Sequence, residues 1–188
     1  IQIIMMKKKM FVLFMVLGVF VRSSAQVPEP VNQTIIRLTV VKDGDKILIR
    51  KTPYGWMTPA VYFKEPQSIQ EVIDKMAGSY GVQISGIGLR GLFTYTYDFK
   101  PTADIRQLYV ANYVRGTLVP PSKNEEVYWM PIEEALGKLG ATVPALKEMT
   151  KQILDKPDKV WGGAFNLFKV NGNMKSSMVE DFYPLAGM

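Results

Sequence analysis

The chain contains no cysteine and no histidine among its 188 residues. Without cysteine, it forms no disulfide and has no thiolate to act as a nucleophile or metal ligand. Without histidine, it lacks Ser–His and Cys–His catalytic pairs, imidazole zinc sites and the side chain that most often transfers protons at neutral pH. Catalysis by this chain would therefore depend on carboxylate, lysine, tyrosine or serine side chains.

An apolar run of 12 residues, 10–21, lies near the N-terminus. It follows three consecutive lysines and precedes small residues at 23–25. This order is typical of a secretory signal peptide, and the run is shorter than the roughly 20 apolar residues of a membrane-spanning helix. We therefore predict that residues 1–25 are a signal peptide and that the protein is exported, to the periplasm or the extracellular space. An uncleaved N-terminal anchor and a core helix are the alternatives.

The net charge of +6 belongs mainly to this segment. The predicted signal peptide holds four of the 23 basic residues and none of the 17 acidic ones, so the rest of the chain has 19 basic residues and a net charge of +2. So small a charge gives little long-range attraction for a polyanion. We expect no nucleic-acid partner and, after signal cleavage, no membrane partner. The expected partner is an unknown small molecule or protein.

The part of the chain after the signal peptide has the length of about one domain. We predict an extended leader at 26–34, a main domain at 35–156 and a C-terminal β-hairpin at 157–188 that packs on the same domain. The hairpin prediction rests on Asn171 and Gly172, a turn pair between two strand-like segments.

Helix signals mark three places in the main domain. Ser68 and Glu71 have the spacing of a capping box, which predicts a helix start. Pro131 and Pro144 each open a further predicted helix, and the first of these two is expected to end at Gly140. Strand-like segments separate the helices, so the sequence predicts a mixed α/β sandwich.

Three glycines, Gly86, Gly88 and Gly91, have the G-x-G-x-x-G spacing of dinucleotide-binding loops. That motif works only when a helix follows directly, because the pyrophosphate binds at the helix N-terminus. Residues 92–97 are instead typical of a strand. We therefore interpret the glycines as sites of β-bulges or bends within a sheet.

The order of segments resembles a Nudix domain over about two thirds of the chain. The first half of such a domain is similar to residues 47–50 (ILIR), 56–59 (WMTP) and a capped helix that ends at 80–82 (YGV). Residues 126–136 (EVYWMPIEEAL) resemble the later Nudix segment, in which a strand runs into a short helix. The resemblance implies an α/β/α sandwich around a mixed β-sheet, with the C-terminal hairpin as an extension.

The catalytic motif of that family is degenerate here. The family's box reads Gly-x5-Glu-x7-Arg-Glu-hydrophobic-x-Glu-Glu-x-Gly-hydrophobic, and its glutamates hold divalent ions that activate water. When the end of the box is placed on Gly81 and Val82, its other conserved positions fall on Ala60, Pro66, Asp74, Lys75, Gly78 and Ser79. Since Mg²⁺ prefers carboxylate oxygens, the sequence predicts no metal site.

A set of aromatic and basic residues is the second indication of a site. Some belong to a predicted loop at 52–59, and others to segments that line the substrate cleft in Nudix domains. Such side chains suit the stacking of a planar or sugar ligand, although ordinary sheet packing explains them equally well. The predicted ligand-binding residues are Arg50, Tyr54, Trp56, Tyr62, Tyr95, Tyr97, Arg106 and Trp129.

Three functions are compatible with these observations. The first is an exported Nudix-like protein without diphosphate hydrolase activity, which acts as a ligand-binding or interaction module and needs no cofactor. The second is a Mg²⁺- or Mn²⁺-dependent hydrolase of nucleoside diphosphate derivatives with a relocated acid cluster, built from Glu65, Glu71, Glu125 and Glu126. The third is a protein-interaction domain that uses the edge of the C-terminal hairpin.

Overall fold

The computed structural model of the protein describes residues 31–63 and 66–187. The predicted signal peptide, most of the predicted leader and Glu65 lie outside these residues. Among the described residues, no helix is both long and apolar enough to cross a membrane.

Within these ranges the chain forms nine strands and three helices. The strands are β1 (Gln33–Lys42), β2 (Lys46–Thr52), β3 (Gly55–Met57), β4 (Ala60–Tyr62), β5 (Val82–Tyr97), β6 (Asp104–Gly116), β7 (Glu126–Pro131), β8 (Lys159–Val170) and β9 (Asn173–Gly187). The helices are α1 (Ile69–Ser79), α2 (Ile132–Thr142) and α3 (Pro144–Asp155).

All the strands belong to one mixed sheet with the order β3-β2-β1-β6-β5-β8-β9. β4 pairs with β1 and β7 pairs with β2 beside this path. The pairs β1–β6 and β5–β8 are parallel, whereas the other pairs are antiparallel. The sheet therefore joins both ends of the described chain, and β8 lies inside it between β5 and β9.

Helices cover the two faces of this sheet, which confirms the predicted α/β/α sandwich. α1 buries Val72 and Ile73 against a core that contains Leu38 and Tyr109. α2 and α3 bury their apolar faces on the opposite side, in a core that includes Leu108. Because successive strand residues point to opposite faces, Leu108 and Tyr109 contribute to different cores.

Local sequence signals produced most of these elements. The capping box is confirmed, since the Ser68 hydroxyl accepts a hydrogen bond from the Glu71 N–H and the Glu71 carboxylate accepts one from the Ser68 N–H. The β8–β9 turn is confirmed at Asn171 and Gly172, where φ is 50° and 79°, as a two-residue hairpin requires. The register of β5 shifts between Ser85 and Gly88 and again between Leu89 and Gly91, as the glycine pattern indicated.

Two local predictions were wrong. The segment 52–59 is not only a loop, because Gly55–Met57 forms the short strand β3 against β2. α2 does not end at Gly140 but continues to Thr142, and the Thr142 hydroxyl accepts a hydrogen bond of 2.8 Å from the Trp56 N–H. Both differences come from the contact between β3 and the end of α2, which joins residues 86 positions apart.

The Ser68→Ala substitution tests the capping box. Loss of the hydroxyl leaves an N–H of the first helical turn without its partner, so we expect the free energy of unfolding to fall by about 1 kcal/mol. Urea denaturation at neutral pH measures this change. The exposed Ser85 on β5 provides the control, because Ser85→Ala is expected to leave stability unchanged.

The Glu71→Gln variant adds a pH dependence to this test. Hydrogen bonds from Ser68 lower the pKa of Glu71 in the folded state. Its stabilising contribution is therefore present above the pKa of the unfolded chain and is lost as the pH falls through the lower folded value. We expect the stability gap between the wild type and Glu71→Gln to close as the pH falls below about 4. A gap that persists in acid would contradict this assignment.

Candidate functional site

A cleft of about 420 Å³ opens beside α1. The helix and its C-cap contribute one wall, strands β2 and β4 contribute the other, and the segment before β7 closes one end. The lining residues are Arg50, Ala60, Val61, Tyr62, Gln67, Val72, Lys75, Met76, Ser79, Tyr80, Pro121 and Glu125.

The strand pairing explains why the sheet opens here. β1 pairs with β2 only through Val41–Ile47 and Lys42–Lys46, after which the two strands separate. The other end of β1 pairs with β4 instead, from Ile35 to Arg37. The space between β2 and β4 is then covered by α1, whose Val72 and Met76 turn inward.

An ion pair occupies the closed end of the cleft. Arg50 Nη1 lies 3.0 Å from Glu125 Oε2, and both side chains are more than four-fifths buried. The Tyr80 hydroxyl lies 3.3 Å from the same Arg50 nitrogen and 3.5 Å from the same Glu125 oxygen. Arg50 Nη2 also contacts the sulfur of Met57 at 3.2 Å. Glu125 is therefore neutralised by a partner of its own and is not a free metal ligand.

Burial raises the pKa of Tyr80 above its ordinary value. The phenol therefore stays protonated at neutral pH and can donate a hydrogen bond to Glu125. The Nε of Arg50 is buried and has no hydrogen-bond partner among the described residues.

The helix wall presents a cation where the aligned Nudix motif has an acid. Lys75 and Ser79 occupy two of the aligned glutamate positions, and both line the cleft. The Lys75 ammonium makes a long contact, 3.4 Å, with the amide oxygen of Gln67, and its charge also helps to lower the pKa of Glu71. Asp74, the remaining acid of this turn, is exposed and accepts hydrogen bonds from Gln70. Lys75 and Arg50 outnumber Glu125, so the cleft carries a net positive charge.

The structure does not bring the proposed relocated acids together. Glu71 serves the capping box, and Glu125 is paired with Arg50. Glu126 is exposed on β7, where it accepts hydrogen bonds from Lys51 at 2.9 Å and from the Tyr128 hydroxyl. Glu65 lies outside the described residues. Within residues 31–63 and 66–187, no three acidic side chains are arranged to hold a metal ion.

Only two of the eight predicted ligand-binding residues, Arg50 and Tyr62, line the cleft. Trp56 packs on Tyr128, with ring centroids 5.6 Å apart, and Trp129 packs on Tyr113 at 5.0 Å. Tyr54 is 87% exposed at the β2–β3 turn, where it borders a second depression next to the start of α3. The aromatic set therefore does not form one stacking site.

The other three predicted residues, Tyr95, Tyr97 and Arg106, form a buried cluster under α3. Arg106 Nη2 lies 2.9 Å from both the Asp104 carboxylate and the Tyr97 hydroxyl, and Tyr97 also donates to Asp104. Lys100 completes the cluster at 2.6 Å from Asp104. The Arg106 guanidinium lies 4.5 Å from the ring centre of Tyr95. This arrangement compensates the buried Asp104, so its first effect is on stability.

Arg37, which the sequence analysis missed, lies beside this cluster. Only 6% of the residue is exposed, and its Nη1 donates to the carbonyl and hydroxyl oxygens of Thr58 at 2.8 and 3.0 Å. Its Nε has no hydrogen-bond partner in the described part of the chain. Burial, and next the charge of Arg106, lower the pKa of Arg37 to about 9, so the guanidinium is still charged at neutral pH. No described acidic side chain forms an ion pair with it, which makes Arg37 a costly buried charge.

Two arginine-to-methionine variants test this assignment. Arg37→Met removes an uncompensated charge and keeps a similar apolar volume, so we expect the free energy of unfolding to stay within about 1 kcal/mol of the wild type or to increase. Arg106→Met instead leaves Asp104 buried without its arginine, and we expect a loss of about 3 kcal/mol or more. Chemical denaturation measures both. A large loss in Arg37→Met would contradict the assignment of Arg37 as a costly buried charge.

The chain is similar to known proteins in its three-dimensional structure. No family model and no curated protein matches the chain. A mutator MutT protein from Bacillus halodurans has a TM-score of 0.64 and 18% identity over 80% of this chain and 96% of its own. A NUDIX hydrolase from Nitrosomonas europaea has a TM-score of 0.53 and 17% identity over 64% of this chain and 87% of its own.

An ADP-ribose pyrophosphatase from Streptococcus suis is a third similar structure. Its TM-score is 0.51 at 14% identity, over 73% of this chain and 98% of its own. At these identities the likeness concerns the backbone arrangement and not the chemistry of the site. The chain therefore has a Nudix-like fold.

Proposed function

We propose that this protein is an exported Nudix-fold module that binds a ligand in the α1 cleft and does not hydrolyse diphosphates. The observation that carries this proposal is the charge of the cleft. Its helix wall presents Lys75 and Ser79, and Glu125, the one acid among its described lining residues, is already paired with Arg50.

These residues do not fit a divalent cation. Mg²⁺ requires hard oxygen ligands in near-octahedral geometry, usually including carboxylates. The Lys75 ammonium would repel the ion, and the serine hydroxyl of Ser79 is a weak neutral ligand. Without a bound cation, the charge on a diphosphate is not neutralised and water is not activated.

The same charges favour an anionic group on the ligand. Lys75 lines the cleft and forms no ion pair with a described acidic side chain, and Arg50 is a second cation at the closed end. Tyr62, which is 55% exposed, offers a ring surface in the same cleft. Since the similar Streptococcus suis protein is named an ADP-ribose pyrophosphatase, nucleoside diphosphate derivatives are the first ligands to test.

The hydrolase alternative would need acids from outside the α1 cleft or from outside the described residues. Of Glu65, Glu71, Glu125 and Glu126, only Glu125 lines the cleft. Breaking its ion pair to bind Mg²⁺ or Mn²⁺ would leave Arg50 buried without a counterion, which is strongly unfavourable. The binding function therefore has the better physical support.

Isothermal titration with Mn²⁺ tests the absence of a metal site. We expect no binding at micromolar concentrations by the wild type, because the helix wall lacks carboxylates. The triple variant Lys75→Glu, Gly78→Glu and Ser79→Glu restores three acids at the aligned positions and is expected to bind the ion. Micromolar binding by the wild type would contradict the proposal.

Ligand binding and turnover are tested separately with ADP-ribose and related nucleoside diphosphates. We expect no hydrolysis with or without Mg²⁺ or Mn²⁺, and binding that persists in a chelator. Lys75→Glu reverses a cleft charge and should weaken that binding by about tenfold, or about 1.4 kcal/mol. Lys147→Glu, an exposed charge reversal on α3, is the matched control and should have no effect. Metal-dependent turnover would favour the hydrolase alternative.

A further inference from the structure

The α1 cleft has polar groups at its two ends. Lys75 contacts the amide oxygen of Gln67, which precedes α1, so its ammonium lies towards the start of the helix. The ion pair of Arg50 and Glu125 lies at the other end, beside the hydroxyl of Tyr80, the residue that follows α1. α1 has 11 residues and is therefore about 16 Å long, so the two polar ends are well separated.

The surface between these ends is apolar. Val72 and Met76 turn inward from α1 and line the cleft on the helix side. Val61, which is 37% exposed, and the ring of Tyr62 line it on the side of β4, and Pro121 adds a further apolar side chain. A ligand that fills these 420 Å³ would place a body of carbon atoms against the walls, and the apolar area removed from water would supply affinity.

The described lining residues carry one positive charge in excess. Arg50 and Glu125 neutralise each other at 3.0 Å, and Lys75 is the remaining charged residue of the lining. Glu71, one helical turn before Lys75, is exposed, accepts a hydrogen bond from the Ser68 N–H and does not line the cleft. The cleft can therefore compensate one negative charge on a ligand without breaking its ion pair.

A second negative charge on the ligand would have no cation of its own among these residues. It would lie against apolar walls or would displace Glu125 from Arg50, and both are unfavourable because a buried charge without a partner is costly. No three acidic side chains in the described part of the chain are arranged to hold a divalent ion that would neutralise a diphosphate. A ligand with a single negative charge therefore matches the cleft better than a diphosphate does.

We propose that the preferred ligand of the α1 cleft is an amphipathic monoanion, which has one anionic group, such as a carboxylate, on an apolar body. The anionic group contacts the Lys75 ammonium beside Gln67, and the body lies along Val72 and Met76 towards the closed end. This preference rests on the proposed ligand-binding function and specifies the class of ligand. Nucleoside diphosphates bind in the same cleft, but more weakly.

Isothermal titration of the purified protein with matched probes tests the charge requirement. Phenylhexanoate has an apolar body and one charge, phenylhexanamide has the same body without the charge, and acetate has the charge with almost no body. We expect phenylhexanoate to bind at least about tenfold more tightly than the amide, and acetate to show no binding. ADP-ribose, titrated in a chelator, is expected to bind about tenfold more weakly than phenylhexanoate.

Lys75→Met tests the position of the anionic group. The variant keeps a long side chain and removes the charge, so we expect the affinity for phenylhexanoate to fall about tenfold and the affinity for the amide to stay unchanged. A purely structural role of Lys75 would instead change both affinities. Lys147→Met, at an exposed position on α3, is the matched control and should bind both probes as the wild type does.

Val61→Asn tests the apolar wall. It replaces a partly exposed lining residue by a polar side chain of similar size, so we expect the affinities for phenylhexanoate and for the amide both to fall about fivefold. Val114→Asn is the matched control, because Val114 is 53% exposed on β6 and is not among the lining residues.

Four results would overturn the preference for a monoanion. ADP-ribose binding that is tighter than phenylhexanoate binding and is weakened by Lys75→Glu would leave the proposed ligand-binding function intact but exclude the single-charge preference. Equal binding of phenylhexanoate and its amide would show that charge does not contribute. Phenylhexanoate binding that neither Lys75→Met nor Val61→Asn changes would place the site elsewhere. No binding of any probe at millimolar concentrations, ADP-ribose included, would contradict the proposed ligand-binding function as well.

Discussion

The parallel pairing of β1 with β6 is the constraint on which the rest of the structure depends. It runs over nine residue pairs, from Gln33–Asp104 to Val41–Asn112, and joins segments about 70 positions apart. With one edge of β1 occupied by β6 and much of the other by β4, β2 can pair with β1 only next to their turn. The separation of β2 from β1 opens the cleft that α1 then covers. The site is therefore a consequence of strand pairing and not of the sequence of any one loop.

Electrostatic compensation distinguishes the two polar regions of the molecule. Under α3, Asp104 is surrounded by Arg106, Lys100 and the Tyr97 hydroxyl, so a buried acid is stabilised by several partners. In the cleft, Glu125 is stabilised by Arg50 and Tyr80. Each of these buried acids thus forms an ion pair with an arginine. Arg37 and Lys75 form no ion pair with a described acidic side chain, so their positive charges are in excess. On α1, the wall of the cleft presents Lys75 and Ser79 and no carboxylate. This charge balance is the physical basis of the proposed binding function.

Much of the fold could be predicted from the sequence, and much less of the site. The capping box at Ser68, the turn at Asn171 and the bulges near Gly88 depend on residues close together in the chain, and local patterns identified each of them. The prediction of one aromatic site was less successful. Tyr95 and Trp129 are strand residues whose partners come from other strands, and alternation along a single strand does not reveal whether a helix covers a given face. Arg37 shows the same problem. It lies between the buried residues Ile36 and Leu38, and strand alternation predicts that a charged residue at such a position is exposed.

The sequence by itself determined which chemistry the protein lacks. The absence of cysteine and histidine, and of glutamates at the aligned positions of α1, is fixed by composition and spacing and needs no coordinates. The tertiary structure alone decided that Glu125 is held by Arg50 and that Arg37 is buried. These properties depend on contacts between residues that are distant in the chain. The free energy of burial that stabilises such contacts depends on the assembled sheet and not on any local segment.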